Sequence, residues 1–326
     1  MLSLLAVAAV GACSAGEDEA NAPAKATFPA NGKPITMLVS FGAGGATDVM
    51  ARMVADRMKK ILGTNVAVVN RPGAGTQIGL TEAAGAKPDG YTIAATNIPS
   101  AVVSYLDPNG SVGYKRESFI PVATMATLTF TMPTLTKSGY NSFEEVIAAL
   151  KAKPRSVSLA AGAIDDLLTV LQLEKATGVD FNQVPFEGGG ADKIRALLGG
   201  QLDVILSAPG EVIQHVKSGD AKILVVFGKE RLAVFPDAPT AIELGYDLDL
   251  VDTSSYSLPA GTPKEIVDVY EKAFEQISKD PEFIKLVESQ GRAVVYEDGE
   301  ALAARWKQAE VNAKPLIDEA AKGAAG

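Results

Sequence analysis

The order strand, glycine-rich loop, helix recurs along this chain, and that grammar constrains the fold more than any other feature. Residues 34–41, PITMLVSF, have the apolar composition of a buried strand, and GAGG follows directly. VMARMVADRMKKILG then shows helical spacing, with Met50, Val54, Met58 and Ile61 on one face and Gly63 closing the helix. NVAVVN reads as a second strand, RPGAGTQIG as a second glycine-rich loop, LTEAAGA as part of a second helix, and YTIAATN as a third strand after the turn KPDG. Strands alternating with helices in this way build a parallel sheet with helices on both faces.

A second set of such units follows: strand SVSLAAG, helix DDLLTVLQLEKATG, strand QVPF, loop EGGG, helix ADKIRALLGG, strand LDVILS, helix EVIQHVKSG and strand KILVVF. Between and after the two sets, TLTFTMPTLTKSGY and LDLVDTSSYSLPAGTP read as extended crossovers. The expected fold is therefore α/β with two lobes, each a mainly parallel sheet flanked by helices. Residues 34–127 with 256–326 form the first lobe and 128–255 the second. The C-terminal part reads as helical, without a strand set of its own, and should pack on the first lobe.

Composition narrows the function. A chain of 326 residues that is 47% hydrophobic and 21% charged can bury a large core. Its net charge of −9 opposes nucleic-acid binding, which needs a basic face. One cysteine, Cys13, and one histidine, His215, leave no metal cluster, disulfide framework or Cys/His catalytic pair, and no cofactor is called for. His215 lies in a helical pattern and reads as an ordinary surface or packing histidine.

The first residues, MLSLLAVAAVGAC, form an apolar run ending in small residues, too short to span a bilayer but suited to an export signal. VGAC resembles a lipobox, in which Cys13 becomes the lipidated first residue. The rival reading is a chance free cysteine, and the absence of Lys or Arg before the run counts on that side. Residues 14–33 then read as a polar tether. The expected product is a monomeric body outside the cytoplasmic membrane, held there by lipid alone.

In open α/β sheets ligands sit beyond the carboxyl ends of strands, where this chain places its glycines. Gly42, Gly44 and Gly45 allow close backbone approach, and the helix starting near Thr47 offers unpaired N–H groups and a partial positive charge, which suits a carboxylate. NRPGAGTQIG repeats the arrangement, and FEGGGADK offers it from the second lobe. The plainer alternatives are that the glycines only punctuate turns, that Asp48 caps its helix, and that Arg71 is a surface cation. Nucleotide readings fail, because GAGGAT is not G-x-G-x-x-G and no Walker motif exists. No segment gives the G-x-S-x-G elbow of a serine hydrolase.

The stretch from Pro34 to Asn97, with VNRPGAGTQIG and KPDGYTIAATN as its most specific parts, resembles the opening of the Bug-type substrate-binding proteins of tripartite tricarboxylate transporters. The resemblance runs on through VPFEGGGADKIRALLGGQLDVILSAPGE and PAGTPKEIVDVYEKAFEQISKDPEFIKLV to about Trp306. It implies a two-lobed periplasmic-binding-protein fold of the Venus-flytrap type, which closes on a small carboxylate and delivers it to membrane permease subunits without catalysis. Carried over by position, the ligand contacts would be Phe41, Ala43, Gly44, Gly45, Thr47 and Asp48 in the first loop. Arg71, Gly73, Ala74, Gly75 and Gln77 would follow in the second, with Thr96 and Asn97 ending the third strand. The second lobe would supply Ala161, Gly162, Asp165, Gly188, Gly189, Gly190 and Ser207. EGGG and SAPGE are closer to tricarboxylate-type members. Ala160, Ala161 and Ala163 stand where serines are common, which leaves dicarboxylates and aromatic carboxylates open. The rival functions are a sensor subunit for a membrane signalling protein and a hydrolase on the same fold.

Overall fold

The computed structural model describes residues 28–30, 32–106, 112–161, 164–186 and 190–324. The first set of units gives β1 (Ile35–Val39), α1 (Ala46–Leu62), β2 (Val66–Asn70), α2 (Gln77–Ala84), β3 (Thr92–Ala95), α3 (Ser100–Leu106) and the long strand β4 (Phe119–Thr129). The chain then builds β5 (Thr131–Leu135), α4 (Phe143–Ala152), β6 (Ser158–Ala160), α5 (Ile164–Thr177), β7 (Asn182–Val184), α6 (Gly190–Leu198), α7 (Pro209–Lys217) and β8 (Ala221–Val226). It returns through β9 (Val251–Pro259), α8 (Lys264–Ser278), α9 (Pro281–Ser289), β10 (Ala293–Asp298) and α10 (Gly299–Ala324).

The first lobe is a six-stranded sheet in the order β10-β4-β9-β3-β1-β2. Its parallel part is the expected βαβαβ unit, with Ile35 opposite Val66 and Thr36 opposite Thr92. β9 then runs antiparallel to both β3 and β4. In the second lobe β5 pairs with β8 and β6 with β7, and single bridges from Val204 to Thr134 and Leu159 join the two pairs. LDVILS, expected as a strand, is thus reduced to isolated bridges. Antiparallel pairing is more frequent than "mainly parallel" suggests, because the strands that pass between lobes return through the same sheet.

Both crossings lie side by side. β4 and β9 pair to their ends, Thr129 opposite Val251, and the Phe130 N–H donates to the Leu250 carbonyl at 3.1 Å. Phe130 and Leu250 are therefore the points at which the chain changes sheets.

Helix α1 follows its sequence pattern: Met50, Ala51, Val54, Ala55 and Met58 are buried against the sheet. Ile61 shares that face but is 38% exposed, because the last turn overruns the core. Gly63 ends the helix at φ 66°, a left-handed position where its N–H reaches the Lys59 carbonyl. The C-terminal part corrects the all-helical expectation, since AVVYED forms β10 at the sheet edge, antiparallel to β4.

Helix α10 buries Leu302, Trp306, Ala313 and Ile317, and these share one apolar cluster with Val102 and Val103 of α3 and Leu168 of α5. Trp306 stacks on Phe119 with ring centroids 5.9 Å apart, and its indole N–H donates to the Tyr105 hydroxyl at 3.0 Å. Trp306→Ala should lower unfolding free energy by about 3–5 kcal/mol, the usual cost of emptying a large aromatic site. Denaturant titration followed by circular dichroism checks this; a loss under about 1 kcal/mol would mean that α10 is not part of the folded core.

Candidate functional site

The loop between β1 and α1 leaves the first turn of α1 open. Its N-cap, Gly45, is extended and supplies no side-chain cap, so the leading N–H groups are available to another acceptor. Asp48 does not point into that space. Only 2% exposed, it accepts from the Gly44 N–H at 2.9 Å, from the Asn70 amide at 2.9 Å and from Arg52 in a two-point pair at 2.8 and 2.9 Å. Burial works against its ionisation, but the bonds from Arg52, Gly44 and Asn70 outweigh it and hold the carboxyl below its usual range. Asp48 is thus the organiser of the loop.

The second glycine loop is knitted to itself and to α3. Gly73, Ala74, Gly75 and Thr76 all have positive φ, Thr76 Oγ1 lies 2.9 Å from Ser104 Oγ, and Gln77 Nε2 donates to the Ser104 carbonyl at 3.4 Å. Gly79 is required where α2 crosses β1, since a Cβ there would lie 2.7 Å from Ser40 Oγ and 2.8 Å from the Arg71 carbonyl. Arg71 itself is half-exposed and paired with Glu82 at 2.9 Å.

A cleft of about 170 Å³ lies between the lobes. From the first lobe Phe41, Ala43, Gly45, Thr47, Ser100 and Asp252 line it, and from the second Gly190, Lys193, Ser207 and Glu211. Of the residues expected from sequence, the structure brings together Phe41, Ala43, Gly45, Thr47, Gly190 and Ser207. Gly44 lies just behind, in a smaller cavity beside Glu211 and Arg292. Thr96 and Asn97 are buried beneath the floor: Thr96 Oγ1 is 2.7 Å from Ser257 Oγ, and the Asn97 amide donates to Thr47 Oγ1 at 3.0 Å and Asp252 Oδ2 at 3.2 Å. Arg71, Gly73, Ala74, Gly75 and Gln77 are not among the lining residues. Ala161 packs on the second-lobe core, and Asp165 falls in the first turn of α5. Gly162, Gly188 and Gly189 lie outside the described residues, as does Cys13.

Sequence reading missed the charges that matter in this cleft. Lys193, 9% exposed, is the ammonium group of the lining, against the carboxylates of Asp192, Glu211 and Asp252. A cation in the first turn of a helix opposes the helix dipole, and that local misfit was the available signal. Arg292, 7% exposed, sits just before β10 and donates to Ser254 Oγ at 3.0 Å. Burial pulls its guanidinium below the usual range, against the support of Glu211, Tyr256 and Asp252.

A larger cavity of about 600 Å³ opens between α5, α10 and the crossing strands, and shares Ser100, Phe130 and Asp252 with the cleft. Its walls hold Leu168, Gln172, Arg305 and Ala313, and the helix starts it meets, Ser100 of α3 and Ala301 of α10, both belong to the first lobe. Of these two, the smaller cleft is the one that joins N–H-rich helix starts from both lobes.

Residues 50–321 match the family model described as the tripartite tricarboxylate transporter family receptor. This chain belongs to that family. It is 33% identical to Protein BugT of Bordetella pertussis over 304 residues, 90% of each chain. The solved periplasmic binding protein BugD is 30% identical, with a TM-score of 0.78 over 88% of this chain and 97% of that one. The malate-bound MatC of Rhodopseudomonas palustris, at 24% identity and a TM-score of 0.80 over 89% and 100% of the two chains, shares the fold. The receptor therefore has the two-lobed periplasmic-binding-protein architecture. Among its described residues no helix is long and apolar enough to cross a membrane.

Asp48→Ala in the receptor should cost about 1–3 kcal/mol, because it leaves the Gly44 N–H and Asn70 without their acceptor. A carboxyl held below its unfolded value contributes stability that is complete above the unfolded pKa and is lost as pH falls through the folded one. Urea titrations of both proteins should therefore converge as pH drops below about 4. A gap that stays constant to lower pH would show that Asp48 acts without its charge.

Proposed function

We propose that this receptor is an extracytoplasmic solute-binding protein that closes its two lobes on a small carboxylate and hands it, unaltered, to the membrane permease of a tripartite tricarboxylate transporter. One observation carries the reading: the N–H-rich starts of α1 and α6 open onto the same cleft from opposite lobes. A ligand that touches both lobes favours the closed arrangement, and rotation about Phe130 and Leu250 would release it. Cys13 would anchor the mature protein by lipid, and the jaws expected as residues 34–127 with 256–326 and 128–255 shift to changeover points at Phe130 and Leu250, because β4 and β9 stay in the first sheet up to Thr129 and from Val251.

Lys193 supplies the counter-charge for the ligand in this reading. At about 170 Å³ the cleft is smaller than the roughly 300–1,000 Å³ that holds drug-sized molecules, which favours a compact dicarboxylate over a bulky aromatic acid. Malate, held by MatC, heads the ligands to try, followed by succinate, adipate, citrate, benzoate and aspartate.

Isothermal titration of the body from about residue 31 should show saturable binding of a carboxylate that is recovered intact. Lys193→Met should raise its Kd by about tenfold or more, the worth of one charge-assisted bond, while Arg71→Met should stay within about twofold. No binding across the panel would sink the carboxylate reading, and conversion of the ligand would restore the enzyme alternative. A larger loss in Arg71→Met than in Lys193→Met would move the counter-charge to the second glycine loop.

A further inference from the structure

Helix starts that face a cleft usually await an anion, but here a carboxylate of the protein already sits among them. Glu211, in the first turn of α7, reaches across the lobes: its Oε1 accepts from the Ala46 N–H at the start of α1, at 3.3 Å, while its Oε2 accepts from the Ala208 N–H, at 3.2 Å. The start of α6 closes on the same group, because a Cβ at Gly190 would overlap the Glu211 carboxylate. Three helix N-termini from two lobes thus converge on one side chain that also lines the cleft.

We propose that Glu211 holds, in the ligand-free receptor, the position that a ligand carboxylate takes, so that an anionic ligand is accepted together with a proton shared with Glu211. The proposal rests on the carboxylate-receptor reading above and deepens it. It makes Glu211 a specificity-determining residue, because it selects the protonation state in which ligand and site combine.

Among the described residues, the charges around Glu211 are few. Lys193 and Asp192 of α6 and Asp252 of β9 line the same cleft, and Arg292, from the turn before β10, lines the smaller cavity behind it. Burial pushes the Glu211 carboxyl above the ordinary range despite the two N–H groups and the cations Lys193 and Arg292. A second carboxylate brought into the same N–H cluster raises the proton affinity of the pair further, since two like charges in one dry site cannot both ionise at low cost. Binding then draws one proton from solvent wherever Glu211 is ionised in the free receptor. Affinity is highest at low pH, where that proton is already present, and falls as pH rises, by at most about tenfold per pH unit.

The test is calorimetric titration of the wild-type receptor with malate, succinate and adipate between about pH 7 and pH 8.5, where both carboxyls of these ligands are almost wholly ionised. Paired buffers of different protonation enthalpy read the proton directly. The expected result is uptake of up to about one proton per bound ligand and a Kd that rises with pH. Glu211→Gln keeps the size and one acceptor but no charge; it should take up almost no proton, bind more tightly than wild type at the upper pH, and show a flat profile. Saturable binding without proton uptake in the wild type overturns the proposal and leaves the receptor reading intact. Uptake that persists in Glu211→Gln, or weaker binding by that variant at every pH, overturns it too. Absence of carboxylate binding at any pH would remove the receptor reading and this proposal together. The wild-type measurement decides the matter even if the variant does not fold.

Discussion

The antiparallel ladder between β4 and β9 is the constraint on which the rest of the molecule depends. The chain leaves the first sheet at Thr129 and re-enters it at Val251, opposite the point of departure. Two strands held by their own backbone bonds thus connect two separately cored lobes. Because both strands end at the same level, the loops that follow β1 and those that precede α6 and α7 meet across one gap. The cleft is a consequence of strand register before it is a matter of side chains.

Within that gap the chemistry is a balance between backbone dipoles and a few buried charges. Helix starts offer partial positive charge at no cost in side-chain entropy, a local counterweight in a chain with a net charge of −9. Lys193 and Arg292 add full charges where water is scarce and each charge counts for more. Asp48 shows the opposite use of the same groups: its carboxylate ties a loop, with Arg52 from the next turn of its own helix and Asn70 from the end of β2 as partners.

Much of the first lobe was legible from sequence because its elements are local. Apolar spacing set α1, glycine ended it, and the alternation of β1, α1, β2, α2 and β3 implied parallel pairing. The departures come from non-local structure. β10 was read as part of a helical tail because AVVYED is short and lies between two amphipathic helices; only pairing with β4 makes it a strand. LDVILS has strand composition, yet its backbone meets neighbours at single positions. At the candidate site, the glycine loop GAGG does line the cleft between the lobes, whereas Arg71, expected there by position in the family, pairs with Glu82. Glu211 has the local pattern of a helix-capping acid, with Pro209 before it at the start of α7, and nothing in that pattern singles it out. Its reach to Ala46, 165 residues away, is invisible in a local reading.

The last helix has a mechanical consequence. A ladder of two strands, taken alone, can bend and can also twist, so lobes hung from it would meet in many orientations. Helix α10 belongs to the first lobe through Trp306 and Phe119, yet its apolar cluster includes Leu168 of α5 in the second. That contact is a second line of support, set apart from the strands. Twisting about the ladder would separate that contact, whereas bending about an axis through it would not, which narrows the relative orientations open to the lobes.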